Sequence, residues 1–262
     1  MNFQKWQGTG NDFIFIHDPL ALATLTEEQI AFLCHRRFGI GADGLILWQV
    51  KDGMPFMKYF NSDGKPSTMC GNGGRCFAAY ALHNKLISEP EFDFYAVDGL
   101  HHAAISETNN HLYQVELHMI PVSKPQSCAG DLVLQTGSPH YVRRVDADFL
   151  NQKSIITPAQ QIRFNERFAK EGINVNFVEW IADNKLRMRT YERGVEDETY
   201  SCGTGVTAAA IASFPWHLKE HVMVQTQGGQ LEVRFQANAD GSFDHVRLIG
   251  PAAFVFSGEI SL

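Results

Sequence analysis

Short apolar-rich runs separated by turn residues fill most of this 262-residue chain, a pattern that predicts many brief strands. The clearest cover residues 13–16, 45–49, 57–60, 92–97, 112–118, 131–135, 175–181, 186–191, 222–225, 231–235 and 246–249. Turn chemistry falls between them at Asp98-Gly99, Asp183-Asn184, Gly228-Gly229 and Asp240-Gly241. Helical signals are fewer. Thr26-Glu27-Glu28-Gln29 reads as a capping box ahead of Ile30, Leu33 and Cys34 at helical spacing, with Gly39 as the stop, which predicts a peripheral amphipathic helix. Two other stretches, Cys76-Phe77-Ala78-Ala79-Tyr80-Ala81-Leu82 and Val206-Thr207-Ala208-Ala209-Ala210-Ile211-Ala212, are apolar nearly all round and predict buried helices.

These two buried helices each follow a similar string, Met69-Cys70-Gly71-Asn72-Gly73-Gly74 in one half and Ser201-Cys202-Gly203-Thr204-Gly205-Val206 in the other. A cysteine at a helix start sits among unpaired N–H groups and at the positive end of the helix dipole, both of which lower a thiol's pKa. The adjacent glycines leave room for an anion such as a carboxylate to approach those N–H groups. Upstream the halves match again, Tyr59-Phe60-Asn61-Ser62-Asp63-Gly64 against Tyr191-Glu192-Arg193-Gly194-Val195-Glu196, so that Glu192-Arg193 holds the position relative to Cys202 that Asn61 holds relative to Cys70. A duplicated unit is the economical explanation. With strands outnumbering helices, the fold expected is α+β. It has two pseudo-symmetric halves, each a mixed or antiparallel sheet or barrel wrapped around a central buried helix. Residues 1–115, with a returning strand at 250–262, form the half that carries Cys70, residues 116–249 form the half that carries Cys202, and the site lies in the cleft between them.

Composition and charge narrow the chemistry. Hydrophobic residues make up 44% and charged residues 19%, an ordinary globular balance. A net charge of −7 with no basic run argues against a nucleic-acid partner. The amino-terminal residues lack a signal core and no window approaches a membrane span, so a cytoplasmic protein with no membrane partner is expected. Five scattered cysteines, Cys34, Cys70, Cys76, Cys128 and Cys202, argue against a disulfide framework, and ligand spacing for a metal is missing. Of the five, Cys34, Cys76 and Cys128 lack the glycine-rich setting. Either remaining cysteine alone reads equally well as a buried structural thiol; the pair in matching settings reads as two acid/base thiols facing one substrate. Gly39-Ile40-Gly41-Ala42-Asp43-Gly44 is only superficially a phosphate loop, because it lacks the Lys-Ser/Thr of a P-loop.

Taken in order, Gly8-Thr9-Gly10-Asn11-Asp12-Phe13, the 38–44 loop, Tyr59-Phe60-Asn61-Ser62-Asp63-Gly64, Met69-Cys70-Gly71-Asn72-Gly73-Gly74-Arg75-Cys76, Gly172-Ile173-Asn174-Val175-Asn176-Phe177-Val178, Tyr191-Glu192-Arg193-Gly194 and Cys202-Gly203-Thr204-Gly205 resemble the diaminopimelate epimerase family of cofactor-independent, two-thiol amino-acid epimerases. The resemblance implies interconversion of LL- and meso-diaminopimelate in lysine and peptidoglycan precursor biosynthesis. One thiolate removes the α-proton and the opposite thiol protonates the other face. Cys70 and Cys202 would be that pair, with no pyridoxal or other cofactor. It further implies that Gly71, Asn72, Gly203 and Thr204 bind the reacting carboxylate. Asn11, Asn61, Asn174, Glu192 and Arg193 would hold the distal amino-acid end, and His140 and Glu192 would help set the thiols' protonation. A guanidinium suits a carboxylate and a carboxylate suits an ammonium group. A homodimer acting on a small amino acid is also implied. The chain departs from the family at Gly137-Ser138-Pro139-His140, where Ser138 stands for the usual Asn; a modest loss of affinity is the expected consequence. Three other readings remain open. They are a proline racemase-like, hydroxyproline epimerase-like or phenazine-pathway isomerase, a thiol redox protein in which the two cysteines pair reversibly, and a carboxylate-binding module that needs no thiol.

Overall fold

The computed structural model describes residues 1–109 and 111–262. Its first elements are β1 (Asn2–Gly8), β2 (Asn11–His17), α1 (Glu27–Cys34), β3 (Gly44–Lys51), β4 (Met54–Asn61) and β5 (Pro66–Ser67). Then come α2 (Gly71–His83), β6 (Glu91–Ala96), β7 (Gly99–Asn109), β8 (Leu112–His118), β9 (Gln126–Cys128), β10 (Asp131–Gln135) and β11 (Pro139–Arg144). The remainder is α3 (Ala147–Leu150), α4 (Ile156–Arg163), β12 (Asn174–Ala182), β13 (Lys185–Glu192), β14 (Asp197–Thr199), α5 (Gly203–His217), β15 (His221–Thr226), β16 (Gly229–Ala237) and β17 (Phe243–Glu259). Every predicted strand falls in an observed one, except that Val97 has already entered the turn after β6. No helix among the described residues is long and apolar enough to cross a membrane.

Contacts divide the chain into two compact units, Met1–Leu117 with Gly250–Leu262, and His118–Ile249. In the first, β1 pairs antiparallel with β2, β2 runs parallel to β3, β3 pairs antiparallel with β4, and β4 touches β6 in parallel. Antiparallel pairs β6–β7, β7–β8, β8–β17 and β17–β1 then close an eight-stranded barrel. The second unit repeats the order. β10–β11 is antiparallel, β11–β12 parallel, β12–β13 antiparallel, β13–β15 parallel, and β15–β16 and β16–β17 antiparallel. A parallel neighbour requires a crossover, and both units fill the second crossover with the buried helix, α2 or α5.

Each central helix is enclosed by its own strands. α2 packs on β1, β2, β3 and β7, where Tyr80 stacks on Phe15 with ring centroids 4.8 Å apart and the fully buried Trp6 meets both rings edge-on. α5 packs on β10 to β13, β15 and β16, its Val206, Ala209 and Ile211 in a core with Val178, Leu186, Val224 and Leu248. Alanines and glycines recur in both helices, where they let the strand walls approach closely, and α2 also buries the larger Phe77 and Tyr80.

The capping box at α1 is present: the Gln29 N–H donates to Thr26 Oγ1 (3.2 Å) and the Thr26 N–H to Gln29 Oε1 (3.0 Å). Gly39, however, is not the stop, because the helix ends at Cys34 with His35 already extended. The 40–42 loop folds back instead, its N–H groups at Ile40, Gly41 and Ala42 donating to the last carbonyls, Leu33 and Cys34. Gly39 is what permits the fold-back, since a Cβ there would lie 2.0 Å from the Phe32 carbonyl oxygen.

Candidate active site

Both cysteines occupy the N-cap of their helices, in extended conformation, and neither side chain caps its own helix. The first i to i−4 bonds are Gly74 N–H to Cys70 O (2.7 Å) and Val206 N–H to Cys202 O (2.8 Å). The N–H groups of Gly71, Asn72 and Gly73, and of Gly203, Thr204 and Gly205, therefore lie ahead of the helical ladder, where the dipole favours an anion. The other helix-borne thiols differ. Burial pushes Cys34 up to about 12 and raises Cys76 further still, which leaves both inert.

In the first unit the half-buried Cys70 thiol donates to Asn11 Oδ1 at 3.7 Å, and the same oxygen accepts from Asn72 Nδ2 at 3.2 Å. The amide of Asn11 is held by donation to Asp43 Oδ2 (2.7 Å). Asp43 in turn takes Arg36 (2.7 Å), and Arg36 forms a two-pronged bond with Asp12 (3.0 and 2.8 Å). Lys5 completes the chain at 2.8 Å from Asp12 and also donates to the Gly41 carbonyl. Burial opposes ionisation of Asp12, but the hydrogen bonds and charges of Arg36 and Lys5 outweigh it and bring the carboxyl down to about 2. Beneath the helix start lies Arg75, wholly buried, donating to Thr9 Oγ1 (3.1 Å), Gly71 O (3.4 Å) and Pro251 O (3.4 Å). Burial lowers this guanidinium to about 10 against the pull of Cys76 and Cys70. Asn61 is apart from this group, exposed at the end of β4.

In the second unit Cys202 is buried, its sulfur 3.4 Å from Thr204 Oγ1. That hydroxyl sits 2.9 Å from His140 Nε2 and 3.0 Å from Ser138 Oγ, and Ser138 Oγ is also 2.9 Å from His140 Nε2. Asn174 donates to Ser138 Oγ and to the Pro139 carbonyl, both at 3.1 Å, and accepts the Arg193 N–H at 2.9 Å. Arg193 reaches the Glu171 carbonyl (2.9 Å), and Glu192 accepts from Thr199 across the β13–β14 pair. Burial, helped by the charge of Arg193, lowers His140 to about 3, so the ring is neutral. Asn61 and Glu192 end the equivalent strands β4 and β13, and the connection to the cysteine is one residue longer in the second unit.

A family model described as diaminopimelate epimerase matches residues 3–123 and 132–255. Among curated proteins, the diaminopimelate epimerase of Flavobacterium psychrophilum is 44% identical over 99% of this chain and 100% of its own. That of Chlorobaculum tepidum is 40% identical over 97% and 99%. The chain belongs to the diaminopimelate epimerase family. Solved structures share the fold at low identity. A phenazine biosynthesis protein of the PhzF family from Bacillus anthracis aligns with TM-score 0.75 at 13% identity, covering 100% of this chain and 99% of its own. A probable proline racemase from Agrobacterium radiobacter K84 aligns with TM-score 0.71 at 16% identity, covering 100% and 93%.

Within the family frame, the structure groups Cys70 with Asn11 and Asn72, and Cys202 with Thr204, His140, Ser138 and Asn174. Sequence reasoning missed Asp43, which orients Asn11: the 38–44 loop enters it as a rejected phosphate loop and as a family motif, with no role for the Asp43 side chain. It also missed Asn176. Two asparagines at alternate positions of an apolar strand, Asn174 and Asn176, share one face of β12, and that period was the available signal.

Proposed function

We propose that this chain inverts the α-carbon of diaminopimelate, interconverting the LL and meso forms, with Cys70 and Cys202 as the proton-transferring pair. The observation that carries the reading is the placement of a cysteine at the N-cap of the central helix in both units, each beside N–H groups outside the helical ladder. A planar carbanion is reprotonated from the far face only if a second acid stands there, which is why the reaction needs two thiols. The substrate's α-carboxylate would accept from the leading N–H groups at Gly71, Asn72, Gly203 and Thr204, where negative charge developing in the transition state is stabilised by fixed dipoles. That stabilisation makes the abstraction possible with the chain's own groups.

For the distal end, Arg193 offers a planar fork to a carboxylate and Glu192 an acceptor to an ammonium group, and the family resemblance implies that Asn11, Asn61 and Asn174 bind there too. Both amide hydrogens of Asn174 are engaged by Ser138 and Pro139, so its contribution to substrate would come through Oδ1. The family resemblance supports a homodimer, and the lack of a signal core or membrane-span window in the sequence supports a cytoplasmic setting. The test is incubation of reduced protein with LL-diaminopimelate in D2O, with proline in parallel. Inversion with deuterium uptake at the α-carbon of diaminopimelate alone is the expected outcome; turnover of proline, or of neither, would overturn the substrate assignment.

A further inference from the structure

We propose that Asn176 is a positioning residue for Cys202. It fixes His140 as the tautomer protonated at Nε2, and through the Thr204 hydroxyl this turns a hydrogen-bond donor toward the sulfur. The orientation of Asn176 follows from its partners. The Tyr141 carbonyl, 3.1 Å away, only accepts, so the group facing it is the amide nitrogen, and that nitrogen is also 3.1 Å from His140 Nδ1. The oxygen of Asn176 takes the Thr190 hydroxyl at 3.1 Å. Both amide hydrogens are thereby committed, one to Tyr141 O and one to Nδ1. An Nδ1 that accepts carries no proton, and a neutral ring then carries it on Nε2.

Nε2–H faces two hydroxyls, Thr204 at 2.9 Å and Ser138 at 2.9 Å. Ser138 Oγ accepts from Asn174 and finds no acceptor in a protonated Nε2, so its hydrogen goes to Thr204 Oγ1 at 3.0 Å. With Thr204 Oγ1 accepting from His140 and Ser138, its own hydrogen points to the remaining neighbour, Cys202 Sγ at 3.4 Å. A hydroxyl donating to sulfur favours the thiolate. The Asn176–His140 end of the network is enclosed, both residues at 0% exposure, while Thr204 and Ser138 are half-buried. It also explains Gly205, whose Cβ would sit 2.7 Å from Asn176 Oδ1 and 3.3 Å from His140 Cε1. On the first unit's thiol the geometry differs: Asn11 presents an oxygen, which only accepts.

The catalytic consequence rests on Cys202 acting in the proposed reaction; the tests need no substrate and stand apart from it. In imidazole 15N correlation spectra of the wild-type protein, His140 should show a bare Nδ1 and a protonated Nε2; a protonated Nδ1 would overturn the proposal. In Asn176→Asp, whose carboxylate only accepts, Nδ1 should gain the proton, and an unchanged Nδ1 would remove Asn176 from the argument. Thr204→Val should slow iodoacetamide alkylation of Cys202 roughly tenfold at neutral pH, as loss of one hydrogen bond to a charged group implies. The rate at Cys70, resolved by peptide mass spectrometry, should hold. An unchanged Cys202 rate, or an equal fall at both cysteines, would contradict the link to the sulfur.

Discussion

His140 is a neutral ring sealed inside the second unit, and its burial makes stability depend on acid. With a folded pKa of about 3 against an ordinary value of 6.5, the unfolded chain binds a proton that the native state refuses. Its contribution is therefore fully present above pH 6.5 and is lost as pH falls toward 3, by about 1.4 kcal/mol per pH unit. Urea titrations between pH 7 and pH 4 should show that slope in wild type and a shallower one in His140→Gln. Ser138 belongs to the same residue-scale network. Restoring Asn at 138 adds a longer polar side chain beside Asn174, and a lower KM for diaminopimelate with kcat within about threefold is the expected result of steady-state assays. Cys70 and Cys202 were legible as chemistry because glycine and helix signals surround them, whereas Asn176 and Asp43 act through other side chains and leave only a faint trace in the sequence.

Among the elements, α1, α2 and α5 could be read from capping or composition, and the strands with strong apolar runs from their pattern. β1, β7 and β11 could not. β1 buries Lys5 against Asp12, β7 is rich in polar residues, and β11 begins at a proline, so each is held by barrel neighbours more than by its own sequence. Two element-level consequences are measurable. Leu218 ends α5 in the left-handed region (φ 53°) with its side chain exposed; Leu218→Gly should raise stability by about 1 kcal/mol in denaturant titration, because glycine adopts that conformation without the Cβ clash. Arg189 and Glu198 form a two-pronged ion pair linking β13 to β14, with side chains only 9% and 13% exposed. Glu198→Ala leaves that guanidinium without its carboxylate and should destabilise the protein by about 3 kcal/mol in the same titration.

At the scale of the molecule, the same succession of antiparallel and parallel pairings occurs twice, each time delivering a cysteine to the start of an enclosed helix. The repeat was visible in the sequence only at the cysteine strings and the strand ends before them, since the intervening strands conserve a pairing order and not a residue pattern. The surroundings of the two thiols have diverged, one facing an asparagine oxygen and the other a threonine hydroxyl backed by histidine. If both thiols move protons, replacing either by serine should lower the rate of inversion by roughly 10²- to 10⁴-fold, the usual worth of a positioned acid or base. The most direct test follows the first turnovers of LL-diaminopimelate in D2O, comparing deuterium in newly formed meso product with deuterium in recovered substrate. Two-thiol chemistry predicts labelled product and unlabelled substrate at early times. Product that retains the original hydrogen, or inversion surviving undiminished in Cys70→Ser or Cys202→Ser, would contradict it.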